Sequence, residues 1–321
     1  MKVSIIIPNY NGLKYLEVCL KSLSKQTFKD FEVIVVDNGS NDGSCKYVKD
    51  NYPYVRVIEL INNGGFSKAV NQGIKASEGK YIVMLNNDTE VEHDWLENLY
   101  NCLTKDKIIF SCASKMMQYN DRQKVDDAGD WYSILGWAYQ RGHGKAGERF
   151  NRVEEVFSSC AGAAIYRKDI LDEVGYFDES FFAYLEDVDI GYRARIHGYK
   201  NVFCPDAIVY HIGSATSGSK YNSFKVKLSA RNNIYLIYKN MPILQVILNF
   251  PFLLIGFGIK YLFFRRLGFG KEYTEGMREG FRNLAKLEKT EFKFKNLPNY
   301  VRIEIEMIVN TFKYVYSKIM G

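Results

Sequence analysis

Residues 33–40 read Val33-Ile34-Val35-Val36-Asp37-Asn38-Gly39-Ser40, four β-branched residues followed directly by a polar turn. Such an apolar run predicts a buried strand that ends at the turn. Further buried strands are predicted at residues 3–7, 55–60 and 81–85. Helix-period segments alternate with these strands, at residues 13–25, 66–77 and 92–103. This alternation indicates an α/β fold, a Rossmann-like and mostly parallel sheet flanked by helices on both faces.

Polar residues follow three of these strands at the point where each strand ends. They are Pro8-Asn9-Tyr10-Asn11, the turn that begins at Asp37, and Asn86-Asn87-Asp88. Ligands of a doubly wound sheet bind beyond the carboxyl ends of the strands. We therefore expect these three segments to line one cleft.

The segment Phe181-Phe182-Ala183-Tyr184-Leu185-Glu186-Asp187-Val188-Asp189 places three carboxylates within four positions of an apolar and aromatic stretch. Like charges repel and their desolvation is costly, so a structural role alone explains this cluster poorly. One carboxylate of the pair Glu186-Asp187 is a candidate general base that takes a proton from a hydroxyl, while its neighbour orients the acceptor. The alternative is a solvated N-terminus of a helix over residues 186–197, where the helix dipole favours acids.

Two further side chains are candidates for nucleotide and metal chemistry. Asp37 could accept a hydrogen bond from a nucleobase N–H or a ribose hydroxyl, or its loop could be only a tight turn with helix capping. Asp88 is a hard oxygen ligand that suits Mg²⁺ or Mn²⁺ holding a diphosphate, although it could instead cap the helix that follows. His211, which follows a predicted strand, could complete the coordination shell or be structural.

Composition places the chain among folded proteins with an uneven charge. Its 321 residues are 47% hydrophobic and 15% aromatic, enough for a large core. The net charge of +6 is concentrated in the basic stretch 265–295, which indicates either a solvated basic face or an anionic neighbour, namely membrane phospholipid, nucleic acid or nucleotide phosphate. The six cysteines form no C-x-x-C pair, which argues against structural zinc. The first apolar run is too short for a signal-peptide core, so we expect a cytosolic catalytic part.

The remaining segments have weaker patterns. Periodicity fades from about residue 105 to 160, where we predict loops and strands that wall an acceptor site, and short strands are expected at about 200–204 and 207–210. Residues 241–264 are strongly apolar but interrupted by Pro251. A single transmembrane span and a buried soluble hairpin are both possible, and we favour an in-plane or re-entrant pair of helices. Residues 299–319 predict an amphipathic helix, which could also serve an oligomer.

We accordingly divide the chain into a catalytic part and an appendage. The catalytic part is residues 1–240, with a nucleotide-binding half at 1–104 and an acceptor-side half at 105–240. The appendage, residues 241–321, is expected to be helical, hydrophobic, basic and associated with a membrane.

These motifs, in this order, closely resemble the family 2 glycosyltransferases of GT-A fold, particularly rhamnosyltransferase-like and galactofuranosyltransferase-like members. The resemblance runs from about Val3 to Lys239. The motifs that carry it are PNYN at 8–11, VDNGS at 36–40, NGGF at 63–66 with Asn71 and Gly73, LNND at 85–88, FDE at 177–179, EDVD at 186–189, and His211 with Arg231-Asn232.

The resemblance implies a role for each matched residue. The implied nucleotide-sugar pocket consists of Pro8, Tyr10, Asn11, Asp37, Asn38, Gly65, Phe66, Asn71, Asn86 and Asn87. Asp88 and His211 are the implied ligands of Mg²⁺ or Mn²⁺, and Asn86 stands where the family's D-x-D motif has its first aspartate. Asp187 is the implied catalytic base, with Glu186, Gly162, Ala163 and Tyr184 on the acceptor side.

The implied reaction is an inverting transfer of a sugar from a nucleoside-diphosphate sugar to a saccharide or lipid-linked saccharide in cell-surface polysaccharide synthesis. Deoxythymidine-diphospho-rhamnose is the first expectation for the donor, with UDP-hexose and UDP-galactofuranose as alternatives. We expect peripheral attachment to the cytoplasmic side of the membrane through residues 241–295 and no nucleic-acid partner. Rival interpretations are a non-catalytic nucleotide-sugar-binding protein, a basic membrane or nucleic-acid adaptor, and a sugar-phosphate nucleotidyltransferase.

Overall fold

The computed structural model describes residues 1–213 and 221–319. Over these residues the strands are β1 (Val3–Asn9), β2 (Phe31–Asp37), β3 (Arg56–Glu59), β4 (Tyr81–Leu85), β5 (Thr89–Val91), β6 (Ile109–Gln118), β7 (Asp121–Asp127), β8 (Asp130–Tyr132), β9 (Ala138–Gln140), β10 (Glu154–Val156), β11 (Ala163–Arg167) and β12 (Lys200–His211). The helices are α1 (Leu13–Leu23), α2 (Ser44–Asn51), α3 (Phe66–Ala76), α4 (Trp95–Thr104), α5 (Lys168–Val174), α6 (Glu186–Ile196), α7 (Ser223–Asn240), α8 (Ile243–Arg266), α9 (Gly270–Asn283) and α10 (Leu297–Ile319).

One large sheet carries the fold, with the strand order β10-β12-β6-β11-β4-β1-β2-β3, while β5 pairs with β12 and β7 pairs with β6. The pairs β1–β2, β2–β3 and β1–β4 are parallel, which confirms the sheet predicted for the first hundred residues. Beyond β4 the sheet is mixed, because β11 runs antiparallel to both β4 and β6. Predicted strand and helix positions in this half agree with the structure to within a few residues.

Two hydrophobic layers cover the sheet, as the alternation of β1 shows. Val3, Ile5 and Ile7 pack with buried residues of α1 and α4 on one face, whereas Ile6 packs with residues of α3, α5 and α6 on the other. Both faces are therefore buried beneath helices, and the carboxyl ends of the parallel strands bring their polar residues together at one end of the sheet.

Two expectations for the second half need correction. Residues 200–204 and 207–210 belong to one strand, β12, whose pairing with β6 shifts register between Cys204 and Ile208. This irregularity breaks the alternation of side chains in the sequence, which is why the strand looked like two.

The second correction concerns residues 241–264, for which we favoured an in-plane or re-entrant pair of helices. Residues 243–266 form a single helix, α8, which continues through Pro251. Within the described residues, α8 is the one helix long and apolar enough to cross a bilayer by length and composition. Leu253 of α8 and Tyr300, Ile303 and Met307 of α10 share a hydrophobic cluster with residues of α6 and α7. The C-terminal helices thus pack into the same core as the acceptor-side half.

Candidate active site

The ends of β1, β2 and β4 are joined by one hydrogen-bond network centred on Asn9. Its Nδ2 donates to Asp37 Oδ1 at 2.8 Å and to Ser44 Oγ at 3.0 Å, and its Oδ1 accepts from Asn87 Nδ2 at 2.7 Å. The backbone N–H of Ser40 donates to Asp37 Oδ2 at 2.8 Å. The parallel register aligns Asn9 with Asp37 and so makes this contact possible. Asn9 lies in one of the segments expected to line the cleft, but no individual role was predicted for it.

The predicted residues at the end of β1 lie on the rim of the same network. Tyr10 is exposed, and Pro8 is half-buried beside it. Asn11 adopts a left-handed backbone, and its Oδ1 accepts from the N–H of Asn41 at 3.0 Å. These contacts hold the polar turn after β2 against the end of β1.

Asn38 fixes the glycine loop that leads into α3. Its Nδ2 donates to Asn63 Oδ1 and to the carbonyl of Gly65 at 2.9 and 3.0 Å, and its Oδ1 accepts from the N–H of Gly64 at 2.9 Å. Gly65 has a φ of 89°, and a Cβ placed there would lie 2.5 Å from the carbonyl oxygen of Phe182. Glycine is therefore required both for the backbone conformation and for the close approach of the acidic segment.

The two site residues predicted on α3, Phe66 and Asn71, contact the loop directly before the acidic segment. The rings of Phe66 and Phe177 meet edge to face with centroids 6.4 Å apart. Asn71 Nδ2 donates to the carbonyl of Phe177 at 2.8 Å and to Glu179 Oε1 at 3.1 Å, and Asn71 Oδ1 accepts from the N–H of Phe177. The amide of Asn71 thus holds the loop before the acidic cluster.

Asp88 and His211 meet at the end of β4. Asp88 is buried, and its Oδ1 lies 3.3 Å from His211 Nε2. The N–H of Ile212 donates to the carbonyl of Asp88, which fixes the two segments to each other. Burial alone would lower the pKa of His211, but its hydrogen bonds with Asp126 and Asp88 raise that pKa to about 10.

The donor atoms of this pair fit a divalent cation. Carboxylate oxygen is a ligand that Mg²⁺ and Mn²⁺ prefer, and imidazole nitrogen is a common ligand of divalent transition metals. Over residues 1–213 and 221–319, no group of three or more His, Cys, Asp or Glu side chains could hold a metal ion. The chain would supply two ligands, and phosphate oxygens and water would supply the others.

Asp187 lies in the first turn of α6 and is tied to the loop before β11. Its Oδ2 accepts from the N–H of Ala161 at 3.3 Å and its Oδ1 from the N–H of Val188 at 2.8 Å. Gly162 follows Ala161 in the chain, and its carbonyl accepts a hydrogen bond from the N–H of Asn86 at 2.8 Å. Ala163, the next residue, pairs with Leu85 across the sheet. This short path joins the acid of α6 to the segment that carries Asp88.

The pKa values of Glu186 and Asp187 are both raised above their usual range. Burial raises the pKa of Asp187, and burial together with the charge of Asp187 raises that of Glu186. Glu186 is buried, and its Oε2 has no hydrogen-bond partner among the described residues. Desolvation therefore outweighs the helix dipole, and Asp187 is a stronger base than an exposed aspartate.

The loop that leads to this pair has an unusual backbone. Phe182, Tyr184 and Leu185 all have positive φ, between 63° and 72°. The buried Asn232 Nδ2 lies within 2.8 to 2.9 Å of the carbonyls of Phe181, Ala183 and Tyr184. Left-handed backbone at bulky residues is strained and persists only where surrounding contacts impose it. Asn232 supplies such contacts directly before the acidic pair.

Three acids that sequence reasoning missed complete the cleft. Asp126 contacts His211, and Asp127 and Asp130 are buried near Asp187. Burial, reinforced by the neighbouring acids, raises the pKa of Asp127 to about 7 and also raises that of Asp130. The run Asp126-Asp127-Ala128-Gly129-Asp130 could have flagged them, because it concentrates acids in the same way as the segment at 186–189.

The raised pKa of Asp127 predicts a stability change that depends on pH. The folded state favours the protonated form of Asp127. The contribution of this residue to the free energy of unfolding is therefore complete below pH 3.8 and is lost as the pH rises through about 7. Asp127→Asn removes the buried charge and keeps an oxygen for the N–H of Gly129. We expect it to raise the free energy of unfolding at pH 8 by on the order of 1–4 kcal/mol, with the gain vanishing towards pH 4.

Thermal unfolding across this pH range tests the expectation. Asp121→Asn is the matched control, since Asp121 is a partly exposed residue of the same strand that pairs with Lys124 at the surface. A Tm for Asp127→Asn that is no higher than the parent's at pH 8 would contradict a buried carboxylate with a raised pKa.

Comparison with known proteins gives consistent matches. The model of the family described as Glycosyl transferase family 2 matches residues 4–175, more than half of the chain. Glycosyltransferase GlyA of Streptococcus pneumoniae is 37% identical over 245 residues, 73% of this chain and 29% of that protein. The N-acetylglucosaminyl-diphospho-decaprenol L-rhamnosyltransferase of Mycobacterium tuberculosis is 26% identical over 247 residues, 67% of this chain and 77% of that protein.

Among solved structures, GalNAc-T7 with UDP, GalNAc and Mn²⁺ matches with a TM-score of 0.61 and 17% identity, over 74% of this chain and 47% of that one. At this identity the match concerns the fold alone. The chain spans between 25% and 34% of the length of the first curated relatives it matches.

Proposed function

The chain belongs to glycosyl transferase family 2, and on that premise we propose that it moves a sugar from a nucleoside-diphosphate sugar to a hydroxyl of a saccharide or lipid-linked saccharide with inversion at the anomeric carbon. The observation that carries the proposal is the convergence of three acids that are distant in sequence. Asn9 and Asn87 join Asp37 to the segment of Asp88, and Gly162 joins that segment to Asp187. A transferase needs these three groups around one donor.

We assign the nucleotide to the edge formed by β1, β2 and the glycine loop. Asp37 has two carboxylate oxygens that each accept one protein hydrogen bond, and each has capacity for another from a nucleobase or ribose. Tyr10 lies at the exposed rim, where a ring can stack on a base. Residues 1–104 would thus hold the nucleotide and residues 105–240 the acceptor.

The cation belongs between Asp88 and His211. When bound there, Mn²⁺ or Mg²⁺ would neutralise the charge that develops on the departing diphosphate. Asp88 brings a carboxylate to this position, and Asn86 contributes an amide beside it. The approach of Asn86 to Gly162 keeps this loop next to the acceptor side.

Asp187 is the proposed general base. The acceptor hydroxyl attacks the anomeric carbon, the bond to the diphosphate oxygen breaks, and the hydroxyl proton moves to the Asp187 carboxylate. Two backbone N–H groups hold that carboxylate in one orientation, and its raised pKa favours acceptance of the proton. Glu186, Tyr184 and the turn at Gly162 and Ala163 would line the acceptor.

The sugar is proposed to be rhamnose. Support comes from the rhamnosyltransferase relative, of which the match covers 77%. A UDP-hexose or UDP-galactofuranose transferase is the second candidate, and a non-catalytic nucleotide-sugar-binding protein is the third. The retention of an acid at positions 37, 88 and 187 disfavours the third.

A thermal-shift screen of nucleotides and nucleotide sugars, with and without Mn²⁺, tests the proposal. A ligand that binds only the folded state raises Tm, by an amount that grows with its concentration over Kd. We expect stabilisation by one nucleoside diphosphate that depends on Mn²⁺, and release of that diphosphate from the matching sugar donor. Absence of stabilisation by every nucleotide would contradict the proposal.

The outer surface of α8 is the proposed membrane contact. Its polar residues Gln245 and Asn249 face the protein, where Gln245 Nε2 and Asn249 Nδ2 both donate to Glu304 at 2.7 and 2.9 Å. Before the exposed Arg265 and Arg266 at its end, its large exposed residues are apolar: Ile243, Leu244, Ile247, Leu248, Leu254, Ile255, Ile259 and Leu262 are among them. A soluble helix has the opposite arrangement, so this one is suited to lipid.

The contacts of α8 with the protein favour a helix that lies in the membrane surface. Gln245 contacts Tyr192 near one end, the carbonyl of Gly256 accepts from Trp137 Nε1 in the middle, and Phe264 stacks on Tyr273 near the other end. Protein therefore covers one side along the whole helix of about 36 Å. The exposed Arg265 and Arg266 at its end suit an anionic cytoplasmic surface.

A charge placed on the outer surface of α8 should release the protein from lipid. We expect the double variant Leu248→Glu with Ile255→Glu to lose most flotation with vesicles that contain anionic phosphatidylglycerol, while Tm stays near the parent value because both side chains are more than half exposed. Tyr54→Glu is the control, since Tyr54 is an equally exposed residue remote in sequence from α8. Flotation of the double variant at the parent level would contradict the assignment.

A further inference from the structure

Asp126 lies directly behind the imidazole of His211. The Nδ1 of His211 is 2.7 Å from Asp126 Oδ2, while its Nε2 is 3.3 Å from Asp88 Oδ1. The imidazole is thus held between two carboxylates, one on each ring nitrogen. Both Asp126 and His211 are largely buried, so water competes little for this contact.

We propose that Asp126 is a positioning residue that fixes the ring orientation and the protonated nitrogen of His211, so that Nε2 faces the cation site beside Asp88. This inference rests on the function proposed above. A carboxylate at Nδ1 can only accept, so it keeps a proton on that nitrogen, and a cation would bind Nε2 in place of the proton that faces Asp88. A carboxylate in this position also increases the basicity of a ligating imidazole.

Asp126 is itself held in place from its other side. His143 Nδ1 lies 3.4 Å from Asp126 Oδ1 and 3.0 Å from the backbone oxygen of Asp126. Gly142 and Gly144, both with left-handed backbones, flank His143, and the backbone of residues 141–145 pairs with that of residues 125–128. The turn therefore presents His143 to Asp126 and limits the movement of its carboxylate.

Asp126 is next in the chain to a residue that lies near the proposed base. Asp127, the next residue, is buried near Asp187, the proposed base. Adjacent residues at the end of β7 thus lie near the metal side and near the base side of the proposed site. This explains why the acidic run at 126–130 belongs to the site although it lies outside the motifs that the sequence matched.

Asp126→Asn provides the test, because the amide keeps the shape of the side chain. Its Nδ2 can donate to His211 Nδ1, which would move the imidazole proton to Nε2 and oppose metal binding. We expect Mn²⁺ alone, titrated into the metal-free protein and followed by electron paramagnetic resonance, to bind 10 to 100-fold more weakly than to the parent. The KM for Mn²⁺ should rise by a similar factor, with kcat largely restored at saturating Mn²⁺.

Two further variants separate positioning from general damage. Asp121→Asn, on the same strand and at the surface, should leave Mn²⁺ affinity unchanged. Asp126→Glu retains the carboxylate and should recover part of the lost affinity, and it replaces Asp126→Asn in the titration if that variant does not fold. Nitrogen NMR of labelled histidines should report a changed protonation pattern of His211 in Asp126→Asn only.

The outcomes distinguish this inference from the proposed function. If the parent binds Mn²⁺ and folded Asp126→Asn binds it within twofold, the positioning role is wrong and the transferase proposal is unaffected. If the parent itself binds no Mn²⁺, both the cation site and the role of Asp126 are wrong. A weakened Asp126→Asn with a normal Asp121→Asn supports the role.

Discussion

Asp187→Asn should reduce turnover by about 10² to 10⁴-fold while leaving donor binding within about twofold of the parent. The amide is isosteric and keeps an oxygen for the N–H of Ala161 or Val188, so the first turn of α6 should remain in place. It cannot take a proton from the acceptor hydroxyl, and this loss acts on the chemical step. Initial rates of nucleoside-diphosphate release in the presence of acceptor, together with calorimetric titration of the donor nucleotide, measure the two effects separately.

Asp206→Asn is the matched control, because Asp206 is an exposed residue of β12 and the substitution is the same. Its rates should equal those of the parent. Glu186→Gln should have a smaller effect than Asp187→Asn, since Glu186 is expected to orient the acceptor and not to accept its proton. Near-normal turnover by Asp187→Asn would contradict the assignment of the base.

Asp88→Asn should abolish the Mn²⁺-dependent part of the nucleotide thermal shift and reduce kcat/KM by about 100-fold or more, since stabilisation of a leaving diphosphate is worth several kcal/mol. The substitution replaces the one carboxylate of the donor pair by a neutral amide and leaves His211 as the remaining strong ligand. Metal-independent contacts of the nucleotide at Asp37 should survive. The two effects are read from the same screen, run with and without Mn²⁺.

Asn86→Asp is the informative companion to Asp88→Asn. It introduces a second carboxylate beside the first and should keep or strengthen the Mn²⁺-dependent shift. A full Mn²⁺-dependent shift in Asp88→Asn would mean that the cation binds elsewhere.

The sequence was sufficient for the parallel half of the sheet and for the polar residues at the ends of its strands. Each of β1, β2 and β4 is a nearly continuous apolar run buried on both faces, and such runs end sharply at polar residues. Because parallel strands end at the same edge, Asp37 and Asp88 were expected to be neighbours, and the network through Asn9 confirms that the strand ends meet. The segment of Asp187 stood out because it places three carboxylates within four positions of an apolar and aromatic stretch.

Other features depend on tertiary contacts that local patterns do not encode. α2 has only one large apolar residue that is fully buried, Val48, so its sequence looks like a polar loop. The register shifts of β7 against β6 hide the alternation that would have revealed the strand bearing Asp126 and Asp127. Pro251 suggested a break in α8, but it lies on the exposed side of a helix whose inner side is fixed by other residues.

The most direct test of the central claim is an experimental structure of the protein with Mn²⁺, the donor nucleotide sugar and an unreactive acceptor analogue. The account predicts the cation in contact with Asp88 and His211, the base or ribose at Asp37, and a carboxylate oxygen of Asp187 within hydrogen-bond reach of an acceptor hydroxyl that faces the anomeric carbon. A sugar bound with its anomeric carbon far beyond the reach of Asp187, while its diphosphate lies beside Asp88, would contradict it.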